Sequence, residues 1–427
     1  KIKIGRGRIQ MNVKETENKN VLIITPGGLP VPAVKGGAVQ NLIEHIISQN
    51  DRYNKINLTI ISPMDEKAKE VANKYKNTEF CWIKIPKIIL IMDLCAYNLV
   101  KLCAKNVKAI SFRNNFKTFY YAVKTGLFLK KNEFDKVVVE NNVRNFWAFK
   151  LFGNKKKYDG KYYYHLHNVL RSTLGCKDIV KKCKKIINVS KFVSDELTKK
   201  NGVLEDLEQS KKEVLLNCID TNVFSKKVDE KEVERLRKKL GIRESDKILL
   251  FAGRLSEEKG IKETTKAFKN IKNNNLKLVI VGADFYDMKT SSPFEDELRK
   301  LVEDVKDRVV FTGYVKYEKM PIVYHIADIV VLPSMWDEPA GLTMLEAMAC
   351  GKSVISTYSG GIPEYTDEKS SILLKRENLI VDNIQKEIVK LLKDENKREV
   401  LGENAAQNGK KFNLKRYYFE FLKILEI

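Results

Sequence analysis

The stretch Ile329-Val330-Val331-Leu332-Pro333-Ser334-Met335-Trp336-Asp337-Glu338-Pro339-Ala340-Gly341-Leu342-Thr343-Met344-Leu345-Glu346 reads as strand, loop and helix. Ile329–Leu332 is an unbroken aliphatic run, as expected of a parallel strand buried on both faces. Pro339 is expected to start the helix, because it lacks only an N–H that would be unpaired there anyway. Gly341 lets a ligand approach the backbone closely, and Leu342–Ala349 continues as helix. The Glu338-to-Glu346 spacing is about two and a quarter helical turns, which would set both carboxylates near one face, about 12 Å apart. Between them lie free N–H groups of a helix start, which attract anions. Carboxylate, anion cradle and carboxylate in line would suit a sugar, a diphosphate and a ribose.

The same rhythm extends to both sides. Strands are expected at Ile248–Ala252, Leu278–Val281, Val309–Thr312 and Ser353–Ser356, alternating with helices at Ile261–Ile271, Phe294–Val302 and Lys319–His325. Such alternation implies a parallel sheet covered on both faces, with ligands beyond the carboxyl ends of its strands. Arg254, Gly282, Gly313 and Glu338 all follow strands and should share that edge. In the N-terminal half, strand Asn20–Thr25 breaks at Pro26-Gly27-Gly28, and the loop runs through Lys35-Gly36-Gly37-Ala38 into helix Val39–Ser48. This is a nucleotide-type strand, glycine loop and helix. Further strands are expected at Asn57–Ser62, Phe80–Ile85, Lys136–Glu140, Tyr162–Leu166 and Lys185–Val189, then a helix at Ser190–Lys199. The polar segment 201–212 reads as a linker, and the aromatic, amphipathic tail 412–427 as a helix packing back on the body.

The 427 residues suffice for two domains with real cores. The seven cysteines are scattered without a Cys-x-x-Cys, which excludes a disulfide framework or zinc site as the expectation and fits a reducing cytoplasm. No signal-peptide pattern is visible. The apolar run Ile88–Met92 stops at Asp93, too short to span a bilayer. Lys1–Gln10 precede Met11 and read as an appended segment or alternative start, outside the fold. Charge is unevenly divided: residues 1–200 hold 39 basic and 16 acidic residues, and the remainder 39 of each. The basic half implies either solvated faces or a negative partner: an anionic membrane surface, an anionic acceptor or nucleic acid. Lys101, Lys105, Lys108, Arg113, Lys117 and Lys124, interleaved with Leu102, Ile110, Phe112, Phe116, Phe119, Tyr120 and Tyr121, would suit a membrane surface. The competing expectation is a helical pair packed on its domain.

Arg254 and Lys259 flank an acidic loop after a strand, and a rigid fork beside a point charge suits phosphate oxygens. No Asp-x-Asp occurs, so no metal is expected; the leaving charge would fall to Arg254, Lys259 and a helix N-terminus. Of four histidines, His45 and His325 sit in helical patterns and read as structural. His165 and His167 end a strand and precede Asn168, which makes them candidates for an acceptor site.

Asn217-Cys218-Ile219-Asp220, Phe251-Ala252-Gly253-Arg254 with Lys259-Gly260, Val281-Gly282-Ala283, Phe311-Thr312-Gly313-Tyr314 and the Glu338/Glu346 block occur in that order. Together with Ser359-Gly360-Gly361-Ile362-Pro363-Glu364 they resemble the retaining glycosyltransferases of family 4, over roughly residues 214–365. Leu29-Pro30-Val31-Pro32 with Lys35-Gly36-Gly37 is similar to bacterial members that build cell-surface or spore-coat polysaccharide. The resemblance implies an α/β protein of GT-B fold, with two Rossmann-like domains facing a central cleft. The N-terminal acceptor domain would span 11–200 and the nucleotide-sugar donor domain 213–411. It also implies that Glu338 holds donor-sugar hydroxyls and Glu346 the ribose. Arg254, Lys259 and the backbone of Gly341, Leu342 and Thr343 would meet the diphosphate, with Gly36 and Gly37 opposite. Main chain near Gly282, Tyr314 and Val315 would contact the base. Many relatives carry a histidine where this chain has Val138-Val139-Glu140-Asn141-Asn142, so Glu140 or Asn141 would serve that contact, with His167 as second choice.

The expected function is a metal-independent retaining hexosyltransferase without cofactor. It would use a UDP- or GDP-type sugar and a glycan or lipid-linked acceptor, in the cytoplasm or on the inner face of the membrane. A nucleic-acid-modifying transferase and a non-catalytic sugar-nucleotide scaffold are the competing expectations; nucleic acid is not the expected partner.

Overall fold

The computed structural model describes residues 18–103, 114–225, 227–282 and 293–427. Lys1–Gln10, Lys105, Lys108, Ile110, Phe112, Arg113 and Ala283, which figure above, lie outside the described residues. Two parallel sheets organise the rest. The first comprises β1 (Lys19–Ile24), β2 (Ile56–Pro63), β3 (Thr78–Ile83), β4 (Lys136–Glu140), β5 (Tyr162–Leu166), β6 (Ile186–Asn188) and β7 (Lys212–Val214). Its order is β3-β2-β1-β4-β5-β6-β7. The second comprises β8 (Lys247–Ala252), β9 (Leu276–Val281), β10 (Val309–Gly313), β11 (Ile329–Leu332), β12 (Ser353–Thr357) and β13 (Ile372–Leu374), in the order β10-β9-β8-β11-β12-β13. Val21–Ile24 and Ile329–Val331 are fully buried, as aliphatic runs must be when helices cover both faces of a sheet. Strand order reverses between β1 and β4 and between β8 and β11. A crevice opens at such switch points, and here the two face each other.

Segment 201–212 is not a linker. Leu204 and Leu207 are buried in the N-terminal core, and β7 pairs with β6 in the register Ile186↔Lys212. The polar composition misled because only two leucines of this surface segment need to point inward. The chain therefore crosses between units after Val214. It crosses back through helix Leu414–Ile424, whose Tyr417, Tyr418, Phe421 and Leu422 are buried with Leu42, Ile43 and Ile46 of helix Ala38–Tyr53. Arg416 donates to the Leu216 and Asn217 carbonyls at 2.7 and 2.9 Å and so ties the two crossings together. Tyr365 accepts from Asn217 N at 3.0 Å and donates to Val189 O at 2.6 Å. Glu364 accepts from Lys191 N and Phe192 N at 2.6 and 2.8 Å, at the start of helix Lys191–Thr198. These bonds fix one end of the cleft.

Candidate active site

A cavity of about 490 Å³ lies between the two sheet edges and is lined from both units. Two helix N-termini open onto it. Gly37, at φ 105°, precedes helix Ala38–Tyr53, and Gly341 precedes helix Leu342–Ala349. Neither helix has an acid in its first turn or a side-chain cap, so both present N–H groups and positive dipole ends to the cavity. Gly282 must be glycine: at φ 140° a Cβ would stand 1.8 Å from Gly253 O.

The helix does not start at Pro339, as expected from the sequence, but at Leu342. Residues 333–341 form a loop instead, and Gly361 N donates to Glu338 O at 2.7 Å. The close approach of Gly360 to the Glu338 backbone, where a Cβ would meet oxygen at 2.2 Å, leaves the chain no room to coil there. Glu338 and Glu346 therefore share the cavity, but not one helix face. Glu338 Oε2 accepts from Lys259 Nζ at 2.6 Å, Trp336 Nε1 at 2.9 Å and Ser334 Oγ at 3.2 Å. Arg254 also lines the cavity, half-exposed, with a 2.6 Å bond to Glu258.

Glu346 is buried rather than solvated. Its Oε2 accepts from Tyr324 Oη at 2.8 Å, and Tyr317 also donates to it. Burial pushes its carboxyl up to about 7, against the opposing pull of those two hydroxyls. Tyr317 and Tyr324, one on each side of Met320, were not singled out from the sequence; neither stands beside a motif, and their joint aim is a tertiary fact. Gly36, Gly37, Gly282, Tyr314, Val315, Gly341, Leu342 and Thr343 line the cavity. His45 lines it too, from within helix Ala38–Tyr53. His325 bonds to Ser225 O at 2.8 Å, away from the cavity.

His167 and Asn168 reach the cavity wall, but Glu140, Asn141 and His165 do not. Glu140 and His165 are fully buried behind it, so the direct sugar or acceptor contact expected of them is not made. Glu140 Oε2 lies 2.8 Å from His167 Nε2 and 3.2 Å from His165 Nδ1. Asn141, at φ 54°, accepts from His167 N at 3.1 Å. Burial pushes the Glu140 carboxyl up, but the charge and hydrogen bonds of the two imidazoles outweigh it and hold it well below the usual range. Burial, and secondarily His165, lowers His167 despite Glu140. At neutral pH Glu140 is thus ionised and can only accept, so His167 donates through Nε2–H. Among the described residues this is the one group of three whose ligand-type atoms lie within 4.8 Å of one another. The hydrogen bonds account for that closeness: a carboxylate anchors two imidazoles.

Residues 232–408 match the family model of the group 1 glycosyl transferases. That stretch is similar to the group, and the chain as a whole has the GT-B fold. It is 25% identical to spore coat protein SA of Bacillus subtilis over 417 residues, covering 95% of this chain and 99% of that protein. It is 30% identical to lipopolysaccharide 1,2-N-acetylglucosaminetransferase of Salmonella typhimurium over 190 residues, 44% of this chain and 49% of that one. The alignments to the first curated relatives span about half of their length. The fold matches that of HepE from Anabaena, solved with UDP and glucose, at a TM-score of 0.70 and 17% identity, covering 96% of this chain and all of that one.

Proposed function

We propose that this protein is a retaining hexosyltransferase. It would take a hexose from a nucleotide diphosphate sugar and pass it to a glycan or lipid-linked acceptor in surface polysaccharide synthesis, at the inner face of the membrane. The observation that carries this reading is the convergence of two uncapped helix N-termini, Arg254, Lys259 and two carboxylates on one cavity. The N-termini and cations would hold the diphosphate and stabilise the charge of the leaving nucleotide. Glu346 would accept from ribose hydroxyls, and Glu338 from those of the sugar.

No divalent metal or other cofactor is part of the proposal. Its support is the cationic lining and the absence of Asp-x-Asp. Glu338 already accepts three hydrogen bonds, which suits a positioning acceptor better than a free nucleophile. The acceptor hydroxyl would then attack on the leaving-group face, and a donor phosphate oxygen would take its proton. His167 and Asn168 line the cavity and would face the acceptor. A relative named as a lipopolysaccharide N-acetylglucosaminetransferase, another named as a spore coat protein, and a structural neighbour solved with UDP and glucose support the substrate classes.

A thermal-shift panel of UDP- and GDP-sugars, with and without chelator, would identify the donor, because a ligand that binds the folded state raises its stability. Proton NMR of the product would then give the anomeric configuration. No shift with any nucleotide sugar would overturn the donor assignment, and an inverted product would overturn retention.

A further inference from the structure

Helix Lys87–Cys103 is built inside out. Asp93 is its only acid and is 3% exposed. Its carboxylate accepts from Phe116 N and Lys117 N, both at 2.9 Å, and so anchors the start of helix Asn115–Lys131. Ile89, Ala96, Tyr97 and Val100 share this inner side and are partly buried. The opposite side is aliphatic and faces outward. Ile88, Ile91, Leu94, Leu99 and Leu102 are 54–82% exposed. Ile88, Ile91, Leu99 and Leu102 fall on one stripe at helical spacing. A folded surface rarely leaves so many large aliphatics together in water without a partner.

The charge around the stripe indicates what that partner is. Across residues 84–103 and 114–131 Asp93 is the sole acid, while Lys84, Lys87, Lys101 and Lys124 are exposed. Phe116 and Phe119 on the neighbouring helix are 39% and 52% exposed. A second copy of this face would set lysine against lysine, whereas an anionic surface is complementary to it. Tyr121, expected from the sequence to join such a face, is fully buried and bonds to Thr25 and Ile61 instead. Among the described residues no helix is long and apolar enough to cross a membrane, so the helix would lie on a bilayer, not span it. The helix follows β3, and Lys117 Nζ donates to Gly28 O at 3.2 Å, in the loop that leads to Gly36 and Gly37.

We propose that this face is a docking surface for an anionic lipid bilayer. The stripe enters the boundary between headgroups and acyl chains, and the lysines meet lipid phosphates. The inference does not depend on the transfer reaction.

The test is co-sedimentation of the full chain with phosphatidylcholine vesicles, with and without phosphatidylglycerol. The wild type should bind only the anionic vesicles and lose roughly tenfold of that partition in high salt. Ile88→Gln, Ile91→Gln and Leu99→Gln combined should also cost roughly tenfold, since burying these side chains drives the insertion. Lys84→Glu, Lys87→Glu and Lys101→Glu combined, which leave the helix interior untouched, should remove the salt-sensitive part. The proposal is overturned if the wild type ignores anionic vesicles, if both variants bind as it does, or if it is a dimer that the glutamine variant dissolves. Donor hydrolysis in free solution should stay unchanged in both variants, which separates failure of this surface from failure of the active-site reading.

Discussion

Lys259 Nζ donates to Glu338 Oε2 at 2.6 Å, across 79 residues of sequence. The two side chains are mostly sheltered, with 23% and 15% exposure, and Lys259 also stands 5.7 Å from the centre of the Trp336 ring. The lysine is thus held by the group proposed to grip the sugar, while its charge faces the place proposed for the diphosphate. Lys259→Met should lower kcat by roughly a hundredfold, the scale of losing one stabiliser of a developing anion. Lys259→Met with Glu338→Gln should fall short of the sum of the single effects, because the two share a hydrogen bond. Steady-state kinetics on the four proteins measures the coupling, and full additivity would contradict it.

Glu346 gives the pH prediction. Its folded carboxyl titrates near about 7, above the ordinary glutamate value. The folded state therefore holds a proton that the unfolded state has already lost, and this contribution to stability falls as pH rises through about 7. Nucleotide binding should move the other way, since ribose hydroxyls donate best to the ionised form. Affinity should rise from pH 6 to about 7.5 and then level off, with proton release visible by calorimetry in buffers of different ionisation enthalpy. Glu346→Gln should flatten the profile and weaken binding on the order of tenfold or more.

Glu140 is predicted to support the fold. Glu140→Ala removes the only carboxylate between two buried imidazoles and should cost about 3 kcal/mol or more in urea unfolding. Its folded carboxyl is held down, so the stability it contributes is present above the unfolded glutamate pKa and is lost as pH falls through the depressed value. A Glu140→Ala protein of unchanged stability would refute the anchoring role.

Gly282→Ala tests the close approach of Gly282 to Gly253 in the cavity wall. With a Cβ placed 1.8 Å from Gly253 O, the backbone must move. The expected outcome is a loss of more than about 2 kcal/mol, seen as a lowered Tm, together with weaker nucleotide binding.

Much of this architecture was legible from local pattern. Ile248–Ala252 and Ile329–Leu332 are apolar runs bounded by glycine, proline or charge, and each became a central strand. Arg254, Gly282 and Glu338 followed strands in the sequence and did converge on one cavity, because carboxyl ends of parallel strands share an edge. Pro339 was misread because its local preference for a helix start lost to the contact between Gly360 and the Glu338 backbone. Segment 201–212 was misread because composition does not reveal that its two leucines, Leu204 and Leu207, both turn inward.

By itself, then, the sequence determined the alternation of strand and helix, the edge on which the polar residues gather and the chemical types available there. These follow from periodicity and chain direction, which are local. Only the tertiary structure decided which of those groups are charged, paired or exposed. Tyr324 and Tyr317 met Glu346, Glu140 withdrew behind His167, and Asp93 turned inward so that its helix showed aliphatic side chains to the outside. Burial and hydrogen bonding depend on what packs from distant parts of the chain, and no local spacing contains that.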